Sequence, residues 1–555
     1  MPATAASTLN APDPITVSVI QHRLTAIVEE MGEAMLRTSY SQILNSSRDF
    51  STAICDAHVR LVAQAEHIPV HVGALTWALK EVVERFDGKV KKGDLYLLND
   101  PYRGGSHLPD VTAFVPVFAG EKLLFWTVNR AHHSDIGGST HGAYNPEATE
   151  IFHEGIRLPP IKLYDQGVCR DDLLDLLALN SRLPRDFLGD LAAQLGSVHL
   201  GERRLEALFA DFGAETVVAS VEQILDGAER QARAAVAEWP DGVYEGEATL
   251  DDDGFGREDI KIRARITVSG EEVEIDMTGC DPESRGFVNS SHANTQSAIA
   301  MAFSFLLDPQ TPKNSGTIRP LTVKLQQGTM VWPSEGLPVT MCTSHCGNEI
   351  IEAVVVALSQ ATPERAMGGW GRRLRLAIQG DDPRTGKRFI WHMFHARPGA
   401  GGSINGDGWH CSGEWHSAGG LKFGSVEVAE VRFPLLFKSH EFRPGSGGDG
   451  QYKGGLGAVM EMQVETAGPA RANTAGDGVK YGARGIAGGK DAAPHDYRLR
   501  HAADGSETKL KTKLVGIPVE PGDVFYVQSG GGGGWGDPAK RDLTLGELDK
   551  VLGLV

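Results

Sequence analysis

Between residues 99 and 153 the chain gathers His107, Asp110, His132, His133, Asp135, His141 and His153, seven side chains of ligand or proton-transfer type in 55 residues. Imidazoles and carboxylates together form a mixed N/O donor set, suited to Zn, Mn or Fe. A site of this kind with few thiolates keeps a position open for water or substrate. The competing reading is a polar surface loop, with one histidine of the His132-His133 pair hydrogen-bonded inside a core.

Spacing brings some of these residues together. Pro109, inside His107-Leu-Pro-Asp110, rules out a regular helix there, so both ligand-type side chains leave extended or turn backbone. Apolar strands are expected over 111–118 and 123–131, joined by a hairpin turn at Gly120-Glu-Lys122. If they pair, residue 110 lies opposite 131 or 132, and Asp110 becomes the cross-strand neighbour of a histidine. A slip of one residue exchanges the faces, so pairing alone does not choose between His132 and His133.

Other motifs carry less. Cys342-Thr-Ser-His345-Cys346, with His410-Cys411, lacks the spacing of a zinc ribbon or finger and reads as a turn leading into a helix from Glu349. Gly530-Gly-Gly-Gly-Gly534 is no P-loop, because no Lys-Ser/Thr follows, and it reads as a set of tight turns. Neither a strand–GxGxxG–helix unit nor a nucleophile elbow occurs. A nucleotide site within this chain is therefore not expected.

The elements that must position the ligand-rich stretch follow from periodicity. Asp13-Pro14 starts a helix whose apolar residues, Val17 to Met35, recur at helical spacing. A hairpin about Asp56-Ala-His58, a helix over 72–86 and a strand over 94–98 follow. Residues 171–238 are helical. Near Pro240 the pattern changes to alternation, predicting an antiparallel meander over 244–277 and then helices over 292–307 and 347–360. From about 385 the chain reads as strands and glycine turns. The expected fold class is α+β and multidomain: a helical N-terminal region with a metal-bearing β-hairpin (1–238), a middle α+β domain (239–384) and a Gly-rich β domain (385–555).

Composition bounds the function. The 555 residues carry a net charge of −18, which opposes binding to nucleic acid or anionic lipid. No stretch of 18 apolar residues occurs, and the N-terminus lacks a basic region followed by an apolar run. Six cysteines in so long a chain do not form a disulfide framework. A cytoplasmic protein is expected, with order everywhere except Met1 to Pro12.

Several segments resemble one family. They are Asn45-Ser-Ser-Arg-Asp49-Phe-Ser, Leu98-Asn-Asp100-Pro-Tyr-Arg-Gly-Gly-Ser-His107-Leu-Pro-Asp110, Ala131-His-His-Ser-Asp135-Ile-Gly-Gly, Asn289 to Ala298, Arg443-Pro-Gly-Ser-Gly-Gly448 and Gly533-Gly-Trp-Gly-Asp-Pro538. Together they resemble the hydantoinase B/oxoprolinase family, itself related to subunits of acetone and acetophenone carboxylases. The resemblance implies a divalent metal, Zn or Mn, on Asp49, His107, Asp110 and His132, with His133 and Asp135 orienting ligands or relaying protons. It implies a hydrolase of cyclic amides, with ATP and Mg bound by a separate A-type ATPase subunit in a heterotetramer or larger assembly. That partner phosphorylates the carbonyl oxygen of a lactam, hydantoin or 5-oxoproline, and this chain hydrolyses the product. The alternative it leaves is a subunit of an ATP-dependent ketone carboxylase.

Overall fold

The computed structural model describes residues 12–65, 67–422 and 424–555. The expectation of disorder at the N-terminus therefore falls, up to residue 11, outside the described residues. The fold is α+β, with four sheets and helices packed on and between them.

The N-terminal region is built on a seven-stranded sheet in the order Leu61–Ala65, Phe50–Asp56, Lys122–His132, Asp110–Ala119, Leu95–Leu98, Ile161–Asp165, Val168–Cys169. Every neighbouring pair is antiparallel. Alternation assigns each side chain a face. Phe50, Ile54, Val111, Ala113, Val115 and Ala131 join the core under the long helices Pro14–Thr38 and Pro184–Phe212. Ala53, Cys55, Phe114, Trp126 and Val128 pack with Leu75, Leu79 and Val82 of the Leu75–Arg85 helix on the other side. Both faces are covered, so nearly all of these strands' residues are buried. The helix expected over 72–86 is two helices, Pro69–Gly73 and Leu75–Arg85, the first begun by Pro69.

The middle region contributes an antiparallel meander, Gly242–Asp252, Glu258–Ser269 and Glu272–Asp276, extended by Leu321–Lys324 in parallel. The helices His292–Phe305 and Gly347–Leu358 pack beside it, and one apolar core joins this region to the N-terminal one. The C-terminal region holds two further sheets. The strands Leu376–Asp381 and Arg388–His392 pair across residue 385, so the first of these sheets begins ahead of that position.

The glycine run at 530–534 has a different cause from the one expected. Among these five glycines no left-handed φ occurs. They are glycines because backbone meets backbone: a Cβ on Gly531 would lie 2.2 Å from the Ser446 carbonyl oxygen, on Gly532 1.9 Å from that of Ala400, and on Gly533 2.0 Å from that of Arg484. The approach is reciprocated from Gly368, Gly399, Gly454 and Gly489, where an added Cβ would meet the backbone of this run. The amides of Gly532, Gly533 and Gly534 donate to the carbonyls of Gly455, Gly369 and Lys490. These N–H groups are therefore consumed within the protein, which removes them as an anion cradle.

Gly532→Ala should lower stability by ~3 kcal/mol or more, because the clash is with backbone that cannot move aside. Gly468→Ala, where a Cβ meets nothing within 4 Å, should change it by less than ~1 kcal/mol. Thermal unfolding of the two variants checks this.

Candidate metal centre

The hairpin register settles where the ligand-type residues point. Asp110 pairs with His132 and Val111 with Ala131. Val111 and Ala131 face the long helices, so Asp110 and His132 share the opposite face with Thr112, Phe114, Val128 and Arg130. His133, one residue on, turns the other way. Its ring lies 4.7 Å from that of Phe187, and its Nε2 is 3.4 Å from Gln194 Oε1. Its amide donates to the Pro109 carbonyl at 2.9 Å, which holds the Pro109-Asp110 corner in place.

Asp49 reaches the same face from a separate turn. A short helix, Gln42–Asn45, ends beside Arg48, whose φ of +61° reverses the chain into the Phe50–Asp56 strand. The Asp49 amide then donates to the Ile43 carbonyl, and the Asp49 carbonyl accepts from the His132 amide, both at 3.0 Å. The His107-Leu-Pro-Asp110 corner is pinned by Asn99, whose Nδ2 donates to the Leu108 carbonyl at 2.7 Å.

The result is a buried cluster about the Asp110 carboxylate. Oδ1 lies 2.9 Å from His107 Nε2 and 3.1 Å from His132 Nδ1. Oδ2 accepts the Ser106 hydroxyl at 2.6 Å and lies 3.4 Å from His71 Nε2, which is also 3.7 Å from Asp49 Oδ1. His107, Asp110 and His132 offer donor atoms that all lie within 4.8 Å of one another. For comparison, a tetrahedral ion with ligands at about 2.1 Å holds them about 3.4 Å apart.

The tautomers sharpen this. His107 Nδ1 contacts the Thr340 carbonyl oxygen, an acceptor only, so Nδ1 carries the proton. In a neutral ring Nε2 then presents a lone pair to the Asp110 carboxylate, itself an acceptor. Two lone pairs meet at 2.9 Å, and that contact calls for a shared cation, either a proton or a metal ion. The donor set thus fits a divalent metal.

Electrostatics agree. Burial alone would raise the Asp110 carboxyl, but the imidazoles of His107 and His71 outweigh it and hold Asp110 well below the usual range. Burial opposes a charged His107, yet Asp110 raises its pKa above the ordinary value. Burial pushes His132 down to about 3, leaving a neutral imidazole ready to ligate. Burial also raises the Asp49 carboxyl, against the pull of His71. Behind Thr340, Glu154 accepts the amides of Val339 and Thr340 at 3.0 and 2.9 Å, and burial brings its pKa up to about 7.

Asp135 does not join the cluster. It accepts the Arg182 amide at 2.8 Å, the Arg182 guanidinium at 3.0 Å and the Gly137 amide at 3.1 Å, and it ties that loop to the segment before the Pro184–Phe212 helix. Nor do the cysteines of 342–346 form a metal site. Cys342 Sγ–H donates to the Ser106 carbonyl, and burial raises both thiols well above their ordinary range. His345 instead lies with Glu349 and Asp477, where Arg372 and Lys513 supply positive charge.

Three groups at the site lie outside the ligand-rich stretch or were not singled out within it. His71 stands on the Pro69–Gly73 helix and touches both carboxylates; the signal was His67-Ile-Pro-Val-His71, two histidines four apart across a proline. Tyr144 stacks on His132 with ring centres 6.0 Å apart. Arg375 lies 3.5 Å over the Tyr144 ring, and burial lowers its guanidinium to about 10. Its signal was Arg372-Arg-Leu-Arg375, charge at the mouth of an apolar strand.

A buried imidazole–carboxylate cluster on the covered face of an antiparallel sheet defines an α+β protein with a prospective metal centre. The chain belongs to the hydantoinase B/oxoprolinase family, whose model matches residues 13–538. It is 34% identical to the beta subunit of a caprolactamase from Pseudomonas jessenii, over 99% of this chain and 95% of that one. It is 30% identical to the B subunit of a putative D-/L-hydantoinase from a Pseudomonas species, over 97% and 92%. The crystal structure of an ATP-dependent caprolactamase from Pseudomonas jessenii superposes with a TM-score of 0.92 at 34% identity, covering 98% of this chain and 95% of that one. A nucleotide-free acetone carboxylase shares the fold, with a TM-score of 0.89 at 19% identity over 98% and 78%.

His132→Ala should abolish stoichiometric metal binding, whereas His133→Ala should keep the metal and lose ~1–3 kcal/mol of stability, since Gln194 Oε1 loses its imidazole partner. Elemental analysis and thermal unfolding of the purified variants separate the two outcomes.

Proposed function

We propose that this chain is the metal-bearing B-type subunit of an ATP-dependent cyclic-amide hydrolase. The observation that carries the proposal is the convergence of His107, Asp110 and His132 on one buried point, with Asp49 closing the set across His71. The likeness to one subunit of a caprolactamase and to one of a hydantoinase supplies a lactam or a hydantoin as the substrate class, and the oxoprolinase part of the family adds 5-oxoproline. Their naming as subunits supports a partner, assigned here as an A-type ATPase that binds ATP and Mg, in a heterotetramer or larger complex. No described helix is long and apolar enough to cross a membrane. The composition supports a cytoplasmic setting.

The chemistry demands two parts. An amide is a resonance-stabilised carbonyl with a poor leaving group, and phosphorylation of the carbonyl oxygen by the partner removes that resonance and makes the carbon electrophilic. Water adds to the carbon, the C–N bond breaks with the ring nitrogen leaving as the amine, and the acyl phosphate that remains gives up its phosphate to a second water. A divalent ion, Zn or Mn, supplies a Lewis acid and an activated water near neutral pH. Asp110 stays ionised through its imidazole neighbours, and His132 stays neutral. The Thr340 carbonyl, fixed by Glu154, sets the His107 tautomer. His71 lies beside the ligands Asp49 and Asp110, an imidazole able to accept a proton from the attacking water. His133 and Asp135 serve by position, through the Pro109 corner and the Arg182 loop.

The test is the complex of this chain with its ATPase partner, assayed for ATP hydrolysis driven by caprolactam, hydantoins, 5-oxoproline, or acetone with bicarbonate. Stimulation by a cyclic amide is expected, with His107→Ala reducing both metal content and turnover at least ~100-fold. Stimulation by acetone with bicarbonate alone would replace hydrolysis with carboxylation, and metal loss with turnover intact would remove the site from the mechanism.

Metal uptake by the metal-free chain should release protons, because Asp110 raises the His107 pKa above its ordinary value and the ion competes with that proton. His132, at about 3, releases none. Affinity should therefore fall as pH falls. Calorimetry in two buffers of different ionisation enthalpy measures the count.

A further inference from the structure

Beside the metal cluster stand Arg373, Arg375 and Arg397, each no more than 4% exposed. Isolated guanidinium groups are not buried without compensation, and here the compensation is incomplete. Glu414 takes Arg373 Nη1 on one oxygen and Arg397 Nη2 on the other, both at 3.0 Å. Arg375 has no carboxylate partner. Its Nη2 lies 3.0 Å from His392 Nδ1, and its plane covers Tyr144. Arg375 Nε and Arg397 Nε and Nη1 are buried with no partner. The adjacent Arg372 differs in its carboxylates: it has two, Glu349 at 2.8 Å and Glu352 at 2.9 Å, although its Nε is unpartnered as well.

The charge pairing points the same way. Two carboxylates, Glu414 and Asp49, act on the three guanidinium groups. The N–H donors left over call for an oxyanion, and a phosphoryl group near pH 7 carries about −1.5 to −2 with three strong acceptor oxygens. Planar guanidinium forks match such an oxyanion in a way an ammonium does not.

Placement completes the case. Arg375 stacks on Tyr144, which stacks on the ligand His132, so the guanidinium layer is one ring away from the metal cluster. His392, the Arg375 partner, lines a cleft of about 230 Å³ together with Tyr40, Ser134, Leu183, Arg388 and Phe433. The Arg397 carbonyl accepts the Ser529 hydroxyl at 2.8 Å, and the close-packed glycine layer holds that segment from behind.

We propose that Arg373, Arg375 and Arg397 form a phosphoryl-binding subsite beside the metal centre. The subsite grips the phosphate carried on the activated carbonyl oxygen and retains it as it leaves. This rests on the hydrolase reading for its substrate but not for its chemistry, since any phosphorylated carbonyl compound or free phosphate offers the same oxyanion.

The experiment is titration of the full-length, metal-loaded chain with inorganic phosphate, followed by calorimetry and ³¹P line broadening, with metal content measured in every sample. Arg375→Gln and Arg397→Gln should weaken phosphate binding about 10- to 100-fold at unchanged metal content. Arg375→Lys preserves the charge and serves where the glutamine variant does not fold; losing the fork, it should still weaken binding about 5- to 10-fold. Phosphate binding that is absent from the metal-loaded wild type, or that survives unchanged in these variants, overturns the subsite. If phosphate follows the arginines while no cyclic amide drives ATP hydrolysis in the complex, the subsite stands and the hydrolase reading falls. If turnover occurs and phosphate ignores the arginines, the hydrolase reading stands and the subsite falls.

Discussion

A single buried carboxylate organises this molecule. Asp110 has no exposure, yet it is held ionised by three imidazoles and a hydroxyl drawn from three separate parts of the chain. An unpaired carboxylate in such a place would protonate. Its ionisation therefore depends on the hairpin register that brings His132 opposite, on the Pro109 corner that brings His107 round, and on the Pro69–Gly73 helix that brings His71 down. Each of these is in turn fixed by packing remote from the site. The arrangement is stable only as a whole, and only with a cation at its centre.

Period-two alternation explains why two adjacent histidines have different places. The strand carrying His132, with His133 just beyond its end, runs between two covered faces, one filled by the long N-terminal helices and the other by the Leu75–Arg85 helix and the metal cluster. The residue pattern showed both strands and their turn but not the register, because each face is apolar along most of its length and a slip exchanges one buried set for another. The resemblance to a family pointed to His132, and the pairing of Asp110 with His132 now accounts physically for that position. The same alternation explains why His133, next in sequence to His132, lies away from the cluster.

What stayed hidden in the sequence was hidden for a common reason. The ligand-rich window could be read because its residues are near neighbours along the chain. His71 comes from 36 positions before His107, and Arg375 from far beyond His132; their nearness is a property of topology, which no local pattern carries. The glycine run was legible as unusual but was assigned to turns. Its real constraint is the approach of several backbones, and that involves Gly368, Gly369, Gly371, Gly399, Gly401, Gly402, Gly454 and Gly455 together with the run at 531–534. Helices and meander strands, by contrast, follow from local periodicity and lie close to where the pattern puts them.

The glycine layer and the arginine layer are parts of one solution. Burying several guanidinium groups close together requires backbone that holds them against their own repulsion. Flexible loops would let them swing to solvent, where hydration is more favourable than anything Glu414 alone provides. Gly371 leads directly into Arg372 and Arg373, its would-be Cβ 2.2 Å from the Pro398 ring, and Arg397 precedes that same proline. The interlocked glycines thus fix the two segments that carry the cations, with no side chain between them to yield. In this arrangement the C-terminal backbone keeps three guanidinium groups beside the imidazole–carboxylate cluster, where the proposed phosphoryl group would satisfy the donors that Glu414 leaves open.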